Sequence, residues 1–361
     1  MIFAVSRFPK PEFTNGYELP AMQIESSWFD WPLLRVGLLA LFLLATVWLL
    51  YRQRSRRGLL LVAAANLAVF GFFYYGCVCP VGLVQNVGAA WFDASRYLPL
   101  SFLLLFLLPI AVAFYAGRVF CMGGCPLGAV QELLFWRKVR VPKMLEFCLR
   151  LLPFLVLALA IALAAADLGY LVCYFDPFVV IFRRAGDWPR IALLAAVLLS
   201  NLFIARSFCR FWWPYGGLLS LASFWSNRQV KIAKDRCINC NLCHSVCPVE
   251  AIEQPLAIKY GEDPAAGVRK LGLWLCLLPL AAAAIAVSGA ALGDKATDFG
   301  RQAELVQMLQ TKADTPEVRA FQQQGGTMLD AEKALWQARA ANRGVFGIVF
   351  GVTGLLAGFR I

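Results

Sequence analysis

Long apolar runs separated by short basic segments limit the folds open to this sequence. Seven such runs cover residues 33–50, 58–75, 99–115, 147–166, 191–205, 271–292 and 344–359. Each run is close to the ~20 residues with which a helix crosses a ~30 Å hydrocarbon core. The chain has 361 residues, 60% of them hydrophobic, which is too apolar for a soluble domain. The pattern predicts an all-α polytopic membrane protein with about seven transmembrane helices.

Lysine and arginine mark the predicted cytoplasmic side of these helices. The formal net charge is +12, and the excess lies in short segments between the apolar runs. The positive-inside rule accounts for this excess, so no nucleic-acid partner is expected. Basic residues directly follow the first run: Arg52, Arg54, Arg56 and Arg57. The N-terminal tail, residues 1–32, is therefore predicted to lie outside, and the protein in a bacterial inner (cytoplasmic) membrane.

Four cysteine-bearing turns follow apolar runs, and each contains a proline. The prolines are Pro80, Pro126, Pro177 and Pro214. The segments after the first two, 81–85 (VGLVQ) and 127–131 (LGAVQ), match closely. In the predicted topology the turns alternate between the outer and the inner side. This indicates two tandem units within residues 33–227, each with an outer and an inner Cys-Pro turn. Alternatively, the prolines only end the helices.

A compact cysteine run follows the fifth apolar run. It has the spacing C-x2-C-x2-C-x3-C-P and consists of Cys237, Cys240, Cys243, Cys247 and Pro248. Thiolates at this spacing can close around one corner of an iron–sulfur cube, and the cysteine before proline can ligate a second cluster. A zinc site is the alternative, although zinc sites favour two separated C-x2-C pairs. We predict a small cytoplasmic ferredoxin-like insert over residues 228–270.

Seven cysteines fall on the predicted cytoplasmic side, and we expect them to bind one or two [4Fe–4S] clusters. They are Cys121, Cys125, Cys209, Cys237, Cys240, Cys243 and Cys247. Seven thiolates are one short of two cubane clusters, and Trp213 stands where a second C-x3-C-P turn would place its cysteine. The eighth ligand could be Cys148, Cys276 or His244, or one cluster could contain three irons. For Cys148 and for Cys276, a buried apolar thiol is favoured over a ligand.

Three further cysteines fall on the predicted outer side. Cys77, Cys79 and Cys173, with Asp176 nearby, could hold another iron–sulfur cluster. The alternatives are unpaired thiols in a tight turn, or a disulfide, which a two-residue separation would strain. Metal on both faces would let the chain carry electrons across the bilayer. The single histidine, His244, cannot supply bis-histidine ligation, so no haem is expected.

Residues 293–343 are predicted to form an outer helical hairpin between the sixth transmembrane helix, 271–292, and the seventh, 344–361. Thr315 before Pro316 is typical of a helix start. Thr327 and Asp330 fit a capping box. Four glycines give the last helix a thin face for close helix packing: Gly347, Gly351, Gly354 and Gly358. These features suit contact with another subunit.

The cysteine turns resemble those of the NapH/NosR/CcoG-like family of membrane-bound 4Fe–4S polyferredoxins. The resemblance rests on four features: Cys121-x3-Cys125-Pro126, its degenerate partner Cys209-x3-Trp213-Pro214, the Asp176-Pro177-Phe178 turn, and the ferredoxin run. It covers about residues 58–255. It implies cytoplasmic [4Fe–4S] clusters and electron transfer between the quinone pool or a cytoplasmic donor and periplasmic redox proteins. The single ferredoxin run and Trp213 depart from the family pattern.

These observations predict a membrane iron–sulfur electron-transfer protein that acts as a subunit of a larger complex. No catalytic residue is predicted. Expected partners are other membrane or periplasmic redox subunits, the lipid bilayer and, if the chain has its own site, a quinone. Two alternatives are a quinol dehydrogenase with its own quinone site and an assembly or anchoring subunit whose clusters are structural.

Overall fold

The computed structural model describes most of the chain. The described residues are 32–76, 80–92, 99–137, 139, 141–166, 168–169, 172, 175–184, 186–227, 238, 240, 264–312, 315–323 and 325–360. Every regular element among them is a helix, which confirms the all-α prediction. The tail 1–31 and the predicted ligands Cys77, Cys79, Cys173, Cys237, Cys243 and Cys247 lie outside the described residues.

Numbered in chain order, the α-helices are α1 (Pro32–Trp48), α2 (Arg56–Asn66), α3 (Pro80–Phe92), α4 (Leu100–Ala116), α5 (Pro126–Leu134), α6 (Lys143–Ala165), α7 (Val179–Arg183), α8 (Trp188–Phe203), α9 (Ser207–Phe211), α10 (Pro214–Phe224), α11 (Pro264–Thr297), α12 (Arg301–Gln310), α13 (Pro316–Gln323) and α14 (Met328–Arg360). Short π-helical segments cover Leu49–Gln53, Leu67–Phe73 and Phe120–Gly124.

Within the described residues, 5 helices are long and apolar enough to cross a membrane. They are Leu33–Gln53, Arg56–Phe73, Met144–Ala165, Leu277–Thr297 and Met328–Gly358. The other two predicted runs form shorter apolar helices, α4 with 17 residues and α8 with 16. All seven runs are therefore helical, and the total of seven spans remains a prediction.

The two predicted tandem units pack around each other in the same way. The helix after the inner turn of the first unit, α5, contacts α2 of its own unit and α8 of the second. Its counterpart α10 contacts α6 of its own unit and α4 of the first. The helix after each inner turn thus contacts the first span of its own unit (α2 or α6) and the second span of the other unit (α8 or α4). This exchange of contacts supports the tandem repeat and places the inner turns at the interface between the units.

The helices after the inner turns begin inside the bundle. Gly217, in the first turn of α10, lies beside Pro153 and Phe154 at the middle of α6. The hydroxyl of Tyr215 donates to the carbonyl of Phe106, near the middle of α4, over 2.8 Å. In the first unit, Gly124 lies beside Leu43, near the middle of the first span. The inner turns therefore re-enter the bundle, which lipid tolerates only where such backbone is buried in protein.

The last two long helices form an antiparallel pair. Gly351 lies against Ala286, and Gly358 against Leu278 of α11. The predicted glycine face of α14 is therefore occupied by a helix of the same chain, which confirms the predicted close helix packing and leaves this face covered against another subunit. The two helices approach closely because glycine has no side chain to separate them. Ion pairs join Asp294 to Arg343 (2.7 Å) at the end of the pair.

The segment between these helices contains the predicted helix starts. Thr315 accepts a hydrogen bond from the backbone N–H of Val318 at the start of α13. Thr327 accepts one from the N–H of Asp330, whose carboxylate accepts the N–H of Thr327 in return (3.0 Å). Both reciprocal bonds of a capping box are present, which confirms it. The helix that begins here continues as α14 through the last apolar run without a break.

We expect Gly289→Ala to weaken the pairing of α11 with α14. A Cβ at this position would lie 2.6 Å from the Cβ of Phe350 and 2.9 Å from the carbonyl oxygen of Phe346. Overpacking of this kind costs about 1–3 kcal/mol. Thermal unfolding in detergent should show a lower midpoint. Gly344→Ala is the matched control, because a Cβ there meets nothing within 4 Å; equal midpoints for the two variants would contradict the prediction.

Candidate metal centre

The two inner turns have the same local construction. Cys125 is extended (φ −112°, ψ 118°) and is followed by Pro126 in the first turn of α5. Trp213 is extended (φ −79°, ψ 113°) and is followed by Pro214 in the first turn of α10. Proline suits the first helical turn because the N–H that it lacks would have no partner there. Each turn therefore presents the residue before proline at the start of a buried helix.

A glycine contact repeats in the two turns and aligns them. A Cβ on Gly128 would lie 2.3 Å from the carbonyl oxygen of Cys121, and one on Gly216 would lie 2.5 Å from that of Cys209. Only glycine lets each helix lie directly on the carbonyl of its turn. Cys121 therefore corresponds to Cys209. By the same register Trp213 occupies the position of Cys125, as the spacing predicted.

Trp213 fills the second turn with an aromatic ring in place of a thiol. Its side chain is buried, and its ring lies 5.3 Å from that of Phe208. Within the described residues its indole N–H has no hydrogen-bond partner. A buried N–H without an acceptor is costly. The second turn therefore presents one cysteine and one unpaired donor, where the first presents two cysteines.

Three free thiols from the two units share one neighbourhood. Cys125 and Cys209 are buried in the main hydrophobic core, and Cys121 is partly buried beside it. Burial raises the pKa of Cys125 well above its usual range, and the charges of Cys209 and Cys121 raise it further. Burial and the charge of Cys121 raise the pKa of Cys209 to about 12. Burial also raises the pKa of Cys121, and the positive charges of Arg118 and Arg206 partly offset this rise.

The donor set of this neighbourhood consists of cysteine thiols from two turns, the ligand type that iron–sulfur clusters take. Within the described residues, no group of three or more His, Cys, Asp and Glu side chains could hold a single metal ion. A cluster binds each cysteine sulfur to a different iron. Its positive irons would also ionise buried thiols that otherwise stay protonated. Cys121, Cys125 and Cys209 could thus be ligands, with others supplied by the ferredoxin run.

Gln131 of α5 forms hydrogen bonds with two atoms of Cys209, the Sγ and the backbone nitrogen. The sequence did not predict this contact. This fully buried amide donates its Nε2–H to the Sγ of Cys209 over 3.0 Å and to the carbonyl of Leu127 over 3.2 Å. Its Oε1 accepts the backbone N–H of Cys209 over 3.4 Å. Asn201 donates to the backbone carbonyl of Gln131 over 2.7 Å. The only sequence signal was the glutamine shared by the two matching segments after Pro80 and Pro126.

Two ion pairs anchor the turn that carries Cys209. Arg206 donates to Glu132 of α5 over 3.0 Å, and Arg210 pairs with Glu146 of α6. The side chains of Arg210 and Glu146 are only 11% and 14% exposed. Partly buried pairs of this kind hold geometry because an unpaired charge there would be costly. The turn is therefore fixed to both units, and its arginines add positive charge beside the thiols.

The described flanks of the outer turns lie side by side. A Cβ on Gly76, directly before Cys77, would lie 3.1 Å from the ring of Phe182. Arg183 donates to the carbonyl of Tyr75 over 3.4 Å. Asp176 is buried and accepts the N–H of Phe178 over 3.0 Å, and burial raises its pKa to about 6. The segments that flank the predicted outer cysteines are therefore in contact.

The outer and inner turns approach each other through aromatic rings. The ring of Phe178, next to the outer Asp176-Pro177 step, lies 6.4 Å from that of Phe182. It also lies 5.2 Å from the ring of Phe208, the neighbour of Cys209. One ring contact, between Phe178 and Phe208, therefore joins the outer turn of the second unit to its inner turn.

The remaining candidate ligands are placed differently. Cys148 is exposed on α6, so its interpretation as a buried apolar thiol is wrong; an apolar thiol at this position can face lipid instead. Cys240 is an exposed free thiol. The side chain of Cys276 and the whole of His244 lie outside the described residues.

The spanning helices and the cysteine turns define a class: a membrane protein with iron–sulfur binding regions. Residues 98–143 and 230–253 each match the family "4Fe-4S binding domain". The first match contains Cys121 and Cys125, and the second contains the whole ferredoxin run. Cys209, which comes from the second unit, lies in neither match.

Three relatives narrow this class. Protein NirI of Paracoccus denitrificans is 28% identical over 221 residues, which are 56% of this chain and 31% of NirI. Putative electron transport protein YccM of Escherichia coli is 29% identical over 163 residues, 40% of this chain and 45% of YccM. Regulatory protein NosR of Pseudomonas aeruginosa is 28% identical over 232 residues, 58% of this chain and 31% of NosR.

The chain is thus similar to NosR and NirI and contains two 4Fe–4S binding regions, and the resemblance predicted from its cysteine turns is confirmed. It spans less than half the length of each of these three relatives. No solved structure matches the chain significantly.

Proposed function

We propose that this protein is a one-electron relay between a cytoplasmic donor or the quinone pool and periplasmic redox partners, working as a subunit of a larger complex. The observation that carries the proposal is the meeting of Cys121, Cys125 and Cys209, from two separate turns, in one buried neighbourhood. Thiolates gathered from distant segments are the usual ligands of iron–sulfur clusters. Thiols without such a role would have no reason to lie together inside a membrane bundle.

The ferredoxin run supplies the remaining ligands in this proposal. Cys237, Cys240 and Cys243 share one [4Fe–4S] cluster with Cys125, and Cys247 joins Cys121 and Cys209 on another. The path of the chain supports this assignment. The N–H of Asn227 donates to the carbonyl of Phe114, and Ser226 donates to that of Tyr115. Asn227 therefore lies beside the C-terminal end of α4. The ten residues from Asn227 to Cys237 can span about 33 Å.

A further cluster at Cys77, Cys79 and Cys173 completes the path outward. The contact between the flanks of the outer turns supports a common site for these cysteines. The ring contacts from Phe182 through Phe178 to Phe208 support a short separation between the outer and inner centres. In this arrangement the N-terminus and the outer turns lie on the periplasmic side of the inner membrane, as the basic residues after the first run predict.

The alternatives have less support. The glycine face that suited an anchoring subunit is covered by α11 of the same chain. A quinol dehydrogenase needs a quinone pocket, and none of the described residues indicates one. Both remain outcomes of the experiment below.

Trans-bilayer electron transfer tests the proposal. Protein purified without oxygen is expected to contain iron and sulfide. For the test, this protein is inserted into liposomes that enclose oxidised cytochrome c. External dithionite, which does not cross the bilayer, should then reduce the enclosed cytochrome through the protein. The variant Cys77→Ser/Cys79→Ser should keep its inner clusters and lose this transfer.

The controls separate the alternatives. Liposomes without protein measure leakage. An iron content near zero in the anaerobic protein would end the proposal. Intact clusters without trans-bilayer reduction would favour the anchoring function. Reduction of the clusters by a quinol, blocked by a quinone analogue, would favour the quinol dehydrogenase.

A further inference from the structure

We infer that Gln131 is a positioning residue that raises the reduction potential of the cluster ligated by Cys209. The inference rests on the proposed function, because it requires Cys209 to be a ligand. It is carried by the short contact between the Nε2–H of Gln131 and the Sγ of Cys209. A hydrogen bond to a ligating sulfur is one of the principal determinants of the potential of an iron–sulfur cluster.

The amide of Gln131 is held so that its N–H must point at the sulfur. Its second N–H is used by the carbonyl of Leu127, and its Oε1 accepts the backbone N–H of Cys209. The side chain is fully buried, so water does not compete for these bonds. Rotation of the amide by half a turn would place its oxygen against the sulfur and its NH₂ against a backbone N–H. The observed orientation is therefore the only one that satisfies both partners.

The bond joins the two tandem units. Gln131 belongs to the first unit and Cys209 to the second, 78 residues further along the chain. By the register of the two turns, Leu219 of α10 is the counterpart of Gln131, and it is buried. Leucine has no hydrogen-bond donor, so the second unit offers no equivalent bond to the first. The two inner turns are thus electrostatically different, although their backbones are built alike.

The sign of the effect follows from charge. Reduction of a [4Fe–4S]²⁺ cluster to [4Fe–4S]⁺ adds one electron and changes no covalent bond. An N–H dipole aimed at a ligating sulfur stabilises the more negative, reduced state. Removal of this donor therefore lowers the reduction potential. A carboxylate in its place lowers the potential further, because it sets a negative charge or a lone pair against the sulfur.

The test uses Gln131→Leu and Gln131→Glu in the full-length protein. Redox titration followed by electron paramagnetic resonance is expected to show one cluster with a lower midpoint potential in Gln131→Leu and a still lower one in Gln131→Glu. The other clusters should keep their potentials, and iron per chain should equal that of the wild type. Leu219→Met is the matched control, because it changes packing at the equivalent position and supplies no donor.

A second measurement uses the wild type and therefore does not depend on a variant keeping its cluster. Wild-type protein labelled with ¹⁵N in glutamine side chains should show a ¹⁵N coupling to the reduced cluster in pulsed paramagnetic resonance, and a Gln131 variant that keeps its iron should lack it. Unchanged potentials in both variants, or no such coupling in the wild type, would overturn the inference while leaving the relay intact. Absence of any cluster from the wild type would instead overturn the proposed function.

Discussion

Protein carrying Cys121→Ser and Cys209→Ser together is expected to retain about two-thirds of its iron and sulfide, because one of the three proposed clusters loses its ligands. These residues come from equivalent positions of the two inner turns, and both lie in the shared thiol neighbourhood. Serine is close to cysteine in size but binds iron weakly. Iron and sulfide analysis of anaerobically purified protein, with visible absorption as a second reading, measures the loss.

The matched control for this experiment is Cys148→Ser. This cysteine is exposed on α6, away from the core that contains Cys209. The same chemical change there should leave the iron content as it is in the wild type. Equal iron in the double variant and in the wild type would show that neither thiol binds a cluster. Complete loss of iron would contradict the separate outer cluster, because neither substitution touches Cys77, Cys79 or Cys173.

Gly128→Ala is expected to destabilise the inner turn of the first unit by about 3 kcal/mol, at the upper end of the usual cost of overpacking. The added Cβ would meet the carbonyl oxygen of Cys121 at 2.3 Å, and this oxygen is backbone and cannot move aside cheaply. Unfolding in detergent should occur at a lower temperature, and iron should be lost first from the two inner clusters, to which this turn contributes Cys121 and Cys125.

Gly37→Ala controls for the change of residue type. Gly37 also lies in a helix, and a Cβ there would meet nothing within 4 Å. Alanine is the better helix former, so this variant should be as stable as the wild type or slightly more stable. If Gly128→Ala matched Gly37→Ala in both stability and iron, the close approach of α5 to the cysteine turn would not matter for the site.

The re-entrant turns change where the inner centre is expected. The sequence placed the cysteines in a cytoplasmic loop at the membrane surface. In the structure α10 begins beside the middle of α6, and the turn before it is buried. Low dielectric and close packing strengthen the effect of each neighbouring dipole and charge. The residues around the thiols therefore have more influence on a cluster than surface residues would.

The paired helices α11 and α14 show how much the glycine motif of the last apolar run can predict when the helix that packs on it is unknown. The glycines of the last run correctly predicted close helix packing. The sequence did not tell which helix would pack there, because every apolar helix of this chain offers a suitable surface. The same limit applies to Cys148, whose side chain is apolar enough for either the core or the lipid.

Local features of the sequence were enough to determine the class of this protein. The length of the apolar runs required spanning helices, and the spacing of the cysteines from Cys237 to Cys247 required iron–sulfur chemistry, because both depend only on neighbouring residues. Tertiary structure alone decided that Cys121 and Cys209 meet, that Gln131 bonds to a sulfur of the other unit, and that the turns re-enter the bundle. These contacts depend on the packing of helices far apart in the chain, and no local pattern encodes which surfaces will touch.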